Sequence, residues 1–155
     1  MCIRDRYLPA QQGSITDPEG NILGEHDGLM FYTLGQRQGL KIGGRRNSAE
    51  SPWYVVEKKI TENILVVAQG HEHPLLFSSS LKAEQVHWIH EMPVLPLQAT
   101  AKTRYRQPAQ DCIISATSAT QYQIDFKLPQ RAITPGQSVV FYQNEVCLGG
   151  GIIVT

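Results

Sequence analysis

The run KTRYRQ, residues 102–107, alternates cations with other side chains. Read as an extended strand, its period of two puts Lys102, Arg104 and Arg106 on one face. Thr103 and Tyr105 then point to the other. Three aligned cations with no acid between them are spaced to follow a phosphate backbone, and Tyr105 adds an aromatic plane and a hydroxyl. The same pattern suits a solvent-facing strand whose charges deter edge pairing. Spacing alone leaves both readings open.

A second basic stretch is HDGLMFYTLGQRQGLKIGG, residues 26–44. Gly28, Gly35, Gly39, Gly43 and Gly44 surround Gln36, Arg37 and Lys41, and Arg45 and Arg46 follow. From Thr33 to Asn47 there are four cations and no acid. Such a loop can meet phosphates through backbone N–H groups and Arg or Lys side chains. It fits neither the P-loop nor the dinucleotide fingerprint. It equally fits a structural turn shaped by glycine, with a solvated basic face.

Other polar groups carry weaker signals. TPGQ (134–137) is a turn with Pro135 and Gly136 in the type II positions, leaving Gln137 at the start of the next strand. CLGGGII (147–153) places three successive glycines inside a strand pattern, which signals a bulge or close backbone packing. His71 and His73 in QGHEHP invite a metal reading, but no third ligand is near in sequence, and solvated histidines in a turn are expected. His87 and His90 are scattered. No nucleophile, base and orienting group converge in the pattern, so no catalytic residue and no metal site are expected. Cys112 and Cys147 sit in apolar strand patterns that favour inert core thiols.

The elements that must position these groups are mostly strands. PWYVVEKKI (52–60) and NILVVAQG (63–70) are β-branched runs joined at Thr61-Glu62, a hairpin pattern. GSIT (13–16) and NILGEH (21–26) form a second hairpin around DPEG, whose Pro and Gly suit a turn. GLMFYTLG (28–35) is the one short helix the pattern suggests, and GGRRNSAESP (43–52) a polar loop. LLFSSSLKAEQVHWI (75–89) starts like a strand and alternates again near Val86 and Trp88. Past the Pro-rich MPVLP (92–96), five strands follow at short intervals: 97–107, 111–117, 121–127, 138–143 and 145–154. With tight turns and no helical period they predict a small barrel or sandwich. The boundary between the two halves falls near residues 78–82, giving domains over 7–78 and 79–155.

The 155 residues suffice for two small domains, and 41% hydrophobic content suffices for a core. Fourteen basic residues balance fourteen acidic ones, so any polyanion must be met by local charge. Three widely spaced cysteines, Cys2, Cys112 and Cys147, argue against a disulfide framework. No apolar run is long enough to span a bilayer, and the N-terminus lacks the apolar region of a signal peptide. A cytoplasmic protein with no membrane partner is the expectation.

Five motifs in order carry a resemblance: GEHDGLMFYTLGQRQGL, PWYVVEKK, ILVVAQGHEHP, KTRYRQ and TPGQSVVFYQNEVCLGGGII. Together they resemble the C-terminal half of the bacterial tRNA-specific 2-thiouridylases, over about Arg6 to Ile153. The resemblance implies a mainly β fold, a small β-rich central domain followed by a C-terminal antiparallel β-barrel. It implies a parent enzyme that uses ATP with magnesium to adenylate the wobble uridine of tRNA at C2, replacing the oxygen with sulfur held as a persulfide. A sulfur-relay or cysteine desulfurase protein would donate that sulfur. The family's Ser-Gly-Gly phosphate loop and its Gly-Ile-Cys-Phe segment do not occur here, so no cofactor and no catalytic residue are expected within this chain. Cys2 has the wrong neighbours for the sulfur-handling role, and MCIRDR (1–6) is expected to be foreign sequence. The family's tRNA-contacting Arg-Tyr pair matches Arg104 and Tyr105, and its turn glutamine matches Gln137. Lys102, Arg106, Arg37 and Lys41 are further candidates for tRNA or domain contacts. The competing expectation is a free-standing RNA-binding barrel without enzymatic activity.

Overall fold

The computed structural model describes residues 10–42 and 51–154. The expectations for Met1–Arg6, Cys2, Arg45 and Arg46 lie outside the described residues. The chain divides into two compact units, Met1–Leu76 and Phe77–Thr155.

The first unit is built on four strands: β1 (Gly13–Thr16), β2 (Ile22–His26), β3 (Trp53–Lys59) and β4 (Ile64–Gln69). They lie in the order β2-β1-β4-β3. β1 and β2 form the hairpin expected around DPEG, and β3 and β4 pair antiparallel across the turn at Thr61-Glu62. β1 runs parallel to β4, joining the two hairpins. Asp17 closes the first turn by accepting hydrogen bonds from the backbone N–H and side-chain amide of Asn21 at 2.7 and 2.8 Å. The core holds Ile15, Tyr32, Leu40, Val55, Leu65 and Val67.

The helix expected over 28–35 is reduced to one 3-10 turn, Leu29–Phe31. The glycine-bounded segment instead serves as a strap. Tyr32 and Leu40 bury into the core at its two ends. Between them Gly35 N–H donates to the Val55 carbonyl at 2.7 Å, and Val55 N–H donates to the Gln36 carbonyl at 3.0 Å. That exchange occupies backbone groups of the edge strand β3 that would otherwise template further pairing. The strap takes positive φ at Gly35 (77°) and Gly39 (80°). Those torsions favour glycine, which is why the segment is rich in it.

The second unit is a closed barrel of six strands, one more than the five-strand set read from the sequence. The strands are β5 (Phe77–Trp88), β6 (Leu97–Lys102), β7 (Gln110–Ala116), β8 (Gln121–Arg131), β9 (Ser138–Gln143) and β10 (Val146–Ile153). They run in the order β10-β5-β8-β7-β6-β9, and all pairs are antiparallel. The extra strand is β5, whose alternation breaks midway. Gln85 takes φ 51°, and the strand pairs with β8 before that point and largely with β10 after it. A bulge of this kind bends one strand around a barrel corner.

Inward residues fill the barrel: Leu81, Ala83, Ala99, Ala101, Ile114, Ile124, Phe126, Val139, Phe141 and Ile153. Trp88 stacks on Phe141 with centroids 5.6 Å apart and meets Tyr122 edge-on at 5.9 Å. Phe141 is fully buried, so its side chain contributes about 1.5–3 kcal/mol by burial. The glycine triplet sits where β10 crowds its neighbours. A Cβ on Gly150 would lie 2.6 Å from the Val139 carbonyl oxygen, and one on Gly151 2.7 Å from the Val86 side chain. Register shifts on either side of Gly149 and Gly150 mark the bulges that the sequence pattern predicts.

Candidate nucleic-acid interface

β6 ends at Lys102, so KTRYRQ does not continue as a strand and the three-cation ridge does not form. The physical reason is a buried polar network. Thr103 turns inward, and its hydroxyl donates to Gln107 Oε1 at 2.9 Å. Gln107 N–H donates to the Arg104 carbonyl at 3.2 Å, closing a tight turn, and its side-chain amide donates to Gln130 Oε1. Gln130 is itself buried, and its amide donates to the Leu128 carbonyl at 2.7 Å. Satisfied buried groups of this kind fix a local geometry. Residues 104–106 are thereby held out in solvent, and Tyr105 is 96% exposed. A turn thus presents Arg104 and Tyr105 together, where strict alternation would set them on opposite faces.

One N–H of the Arg104 guanidinium donates to the Ala132 carbonyl at 3.2 Å, which steers the fork. Its other donors meet no acceptor among the described residues. The TPGQ turn stands across from it. Gly136 takes φ 86° as the type II geometry requires, and Gln137 N–H donates to the Thr134 carbonyl at 3.2 Å. The Gln137 carbonyl accepts from Ile153 N–H at 2.8 Å, tying the turn to the end of β10.

The two turns face one another across a cleft of about 600 Å³. Lys102, Arg104, Tyr105, Gln137, Val140 and Tyr142 line it, with Thr103, Gly136 and Ser138, and no acid is among them. The Lys102 ammonium lies over the Tyr142 ring, 5.4 Å from its centroid. Two cations, two phenol rings and a carboxamide thus converge on one concave surface. Arg106, on the same turn, is exposed but is not part of the lining. Ser138, Val140 and Tyr142 are lining residues that sequence reasoning missed, and Tyr142 is the one among them with an aromatic face. Its signal was the alternation of SVVFYQ, which buries Val139 and Phe141 and turns Val140 and Tyr142 outward.

Arg37 and Lys41 belong to the first unit. Arg37 is exposed. Lys41 is held 2.7 Å from Asp27, and both are solvent-exposed. The hydrogen bond and charge of Lys41 lower the Asp27 pKa, and Asp27 raises that of Lys41 in return. The stretch has no acid after Asp27, yet Asp27 folds back onto its second cation. His71 Nδ1 sits 2.5 Å from Glu72, and His73 Nδ1 accepts from Leu75 N–H at 3.3 Å, so the two rings serve their own turn. No cluster of three or more His, Cys, Asp or Glu side chains suited to a metal occurs among the described residues.

Known proteins resemble the chain in both units. Residues 78–153 match the family described as the aminomethyltransferase beta-barrel domain, and residues 4–69 match the tRNA methyl transferase PRC-barrel domain. The second match begins inside MCIRDR. The chain is 55% identical over 150 residues to the tRNA-specific 2-thiouridylase MnmA of Alcanivorax borkumensis. It is 55% identical over 151 residues to that of Methylococcus capsulatus, and 54% identical over 149 residues to that of Vibrio cholerae. The chain belongs to the tRNA-specific 2-thiouridylase family. Each alignment covers 96% of this chain and 40–41% of the relative, so the chain spans about two fifths of their length. It corresponds to the C-terminal part of these relatives. Among the described residues, no helix is long and apolar enough to cross a membrane.

Proposed function

We propose that the chain is the tRNA-holding part of a tRNA-specific 2-thiouridylase, and that the cleft of the barrel is its RNA contact. The carrying observation is that Arg104, Tyr105 and Gln137 converge, with Lys102, on one acid-free concavity. Arg and Lys meet phosphate oxygens, a carboxamide both donates and accepts, and an exposed phenol ring offers a stacking face. In this reading Arg104 engages a phosphate through the guanidinium edge that the Ala132 carbonyl leaves open. Gln137 hydrogen-bonds a ribose or base edge. Lys102 adds a second phosphate partner. Arg106, Arg37 and Lys41 stand outside the cleft lining, and the ion pair with Asp27 makes Lys41 the weakest of the three candidates.

The reaction assigned to the whole enzyme is replacement of the wobble uridine O2 by a persulfide sulfur, with a sulfur-relay or desulfurase protein as donor. ATP with magnesium supplies the activation of that oxygen when bound. The described residues do not fit an ATP site. Their only helical elements are two three-residue 3-10 turns, so no strand-to-helix glycine loop can cradle phosphates. No step through ATP is therefore assigned to this chain, whose part is to bind and orient tRNA in the cytoplasm.

The test is made in cells from which the gene has been removed, with tRNA nucleosides measured by mass spectrometry. The reading expects 2-thiouridine to disappear, to return with the wild-type gene, and to return only weakly with Arg104→Ala combined with Gln137→Ala. Undiminished 2-thiouridine in the double variant, at matched protein level, would sink the assignment of the cleft.

A further inference from the structure

Resting on that tRNA reading, we infer that the cleft receives a nucleotide splayed out of its stack, and that Tyr142 is an RNA-contacting residue within it. Tyr142 projects from the outer face of β9, between the buried Phe141 and the end of the strand. Its position is fixed from both sides of the backbone. The strand pairs through it with Thr100 of β6 and Cys147 of β10, and the Thr100 hydroxyl donates to its carbonyl at 3.4 Å. A ring on a strand locked between two neighbours is a more rigid platform than Tyr105 on its exposed turn.

The lining fits a single nucleotide better than a duplex backbone. A duplex presents phosphates and sugars on a convex surface, which cations on a flat or ridged face can follow. Here two phenol rings and Val140 share the lining with only two cations. Apolar and aromatic surface contributes little against phosphates, but it binds an unstacked base through its π face. The Lys102 ammonium lies over the Tyr142 ring, 5.4 Å from its centroid, so it shares that face with any base that stacks there. A base that stacks on the ring displaces the ammonium from its face, and the freed ammonium then meets that nucleotide's own phosphate. The partner is therefore a loop or single-stranded segment of RNA.

The experiment titrates the full chain with an unmodified tRNA transcript by filter binding over a range of salt, with a blunt RNA duplex as competitor. Loss of one base–aromatic contact predicts that Tyr142→Ala weakens tRNA binding about 5- to 150-fold. The salt slope stays at its wild-type value, because no charge is lost. Tyr142→Phe keeps wild-type affinity, and the duplex competes no better against wild type than against Tyr142→Ala. Wild-type tRNA affinity in Tyr142→Ala, alongside a loss in Arg104→Ala, overturns the inference and leaves the tRNA reading standing. A Tyr142→Ala loss that appears as a slope reduced by about one, matching Lys102→Ala, also overturns it, since the ring would then only position the ammonium. If neither Arg104→Ala nor Tyr142→Ala changes binding, the cleft itself is not the RNA site. Thermal melts of Tyr142→Ala and Tyr142→Phe establish that both variants are folded.

Discussion

Arg104 and Lys41 show how cations on exposed loops divide into different roles. Arg104 spends one donor on the Ala132 carbonyl and points the rest at solvent in the cleft. Lys41 is matched 2.7 Å away by Asp27. On the proposed function, Arg104→Ala lowers the magnitude of the salt slope of tRNA binding by about 0.7–0.9, one phosphate contact. Lys41→Ala leaves that slope unchanged. Equal effects of the two variants would show that cleft geometry does not select the contact. Cys112 offers a second prediction at this scale. Burial, reinforced by the charge of Asp111, pushes its thiol up from 9.0 to about 12. The folded chain therefore keeps a proton that the unfolded chain releases. The effect on stability is nil below about pH 9, and stability falls as pH rises from about 9 towards about 12. At pH 8.5 iodoacetamide should leave Cys112 unmodified in the folded chain and modify it in urea, as peptide mass mapping would reveal. Fast modification of the folded chain would refute the buried placement.

At the scale of elements, barrel closure depends on the fit of β10 between β5 and β9. Gly149 takes φ 153°, and a Cβ there would fall inside contact distance of the His87 carbonyl oxygen. Gly149→Ala combines backbone strain with overpacking against main chain that cannot step aside, so it should cost about 2–6 kcal/mol. A denaturant midpoint equal to wild type would mean that β5 and β10 separate more easily than their bulged pairing implies. The triplet was legible in the sequence because three glycines weaken a strand unless a bulge or a close backbone approach requires them. The hairpins were legible too, because β-branched runs bracket obvious turn residues. KTRYRQ was misread for a physical reason. Period two describes the pattern correctly, but the chain leaves the sheet at Thr103 to satisfy a network with Gln107 and Gln130, residues 4 and 27 positions away. No local pattern records such a partner. β5 was undercounted for a similar reason, since its bulge at Gln85 breaks the alternation by which strands are recognised. The strap over 28–42 was half legible. Its glycines announced a shaped turn, but docking on the edge of β3 depends on a strand some twenty residues further along.

The whole chain has no net charge, with fourteen basic and fourteen acidic residues. A long-range field that gathers RNA from a distance is therefore not available, and affinity must come from contacts made at the cleft. This sets the salt dependence. Lys102 and Arg104 line the cleft, and Arg106 stands exposed on the same turn. Two to three phosphate contacts at single-stranded or duplex segments give a slope of log affinity against log salt between about −1.4 and −2.7. The remaining affinity is carried by stacking and hydrogen bonds, which salt barely touches. Binding of the full chain to a tRNA transcript, measured from about 50 to about 300 mM salt, should therefore weaken by well under the thousandfold typical of proteins with six or more phosphate contacts. A slope near −5 would require cations outside the cleft and would move the interface elsewhere on the chain. A slope near zero would remove phosphate contact altogether and leave the two tyrosines as the main source of affinity.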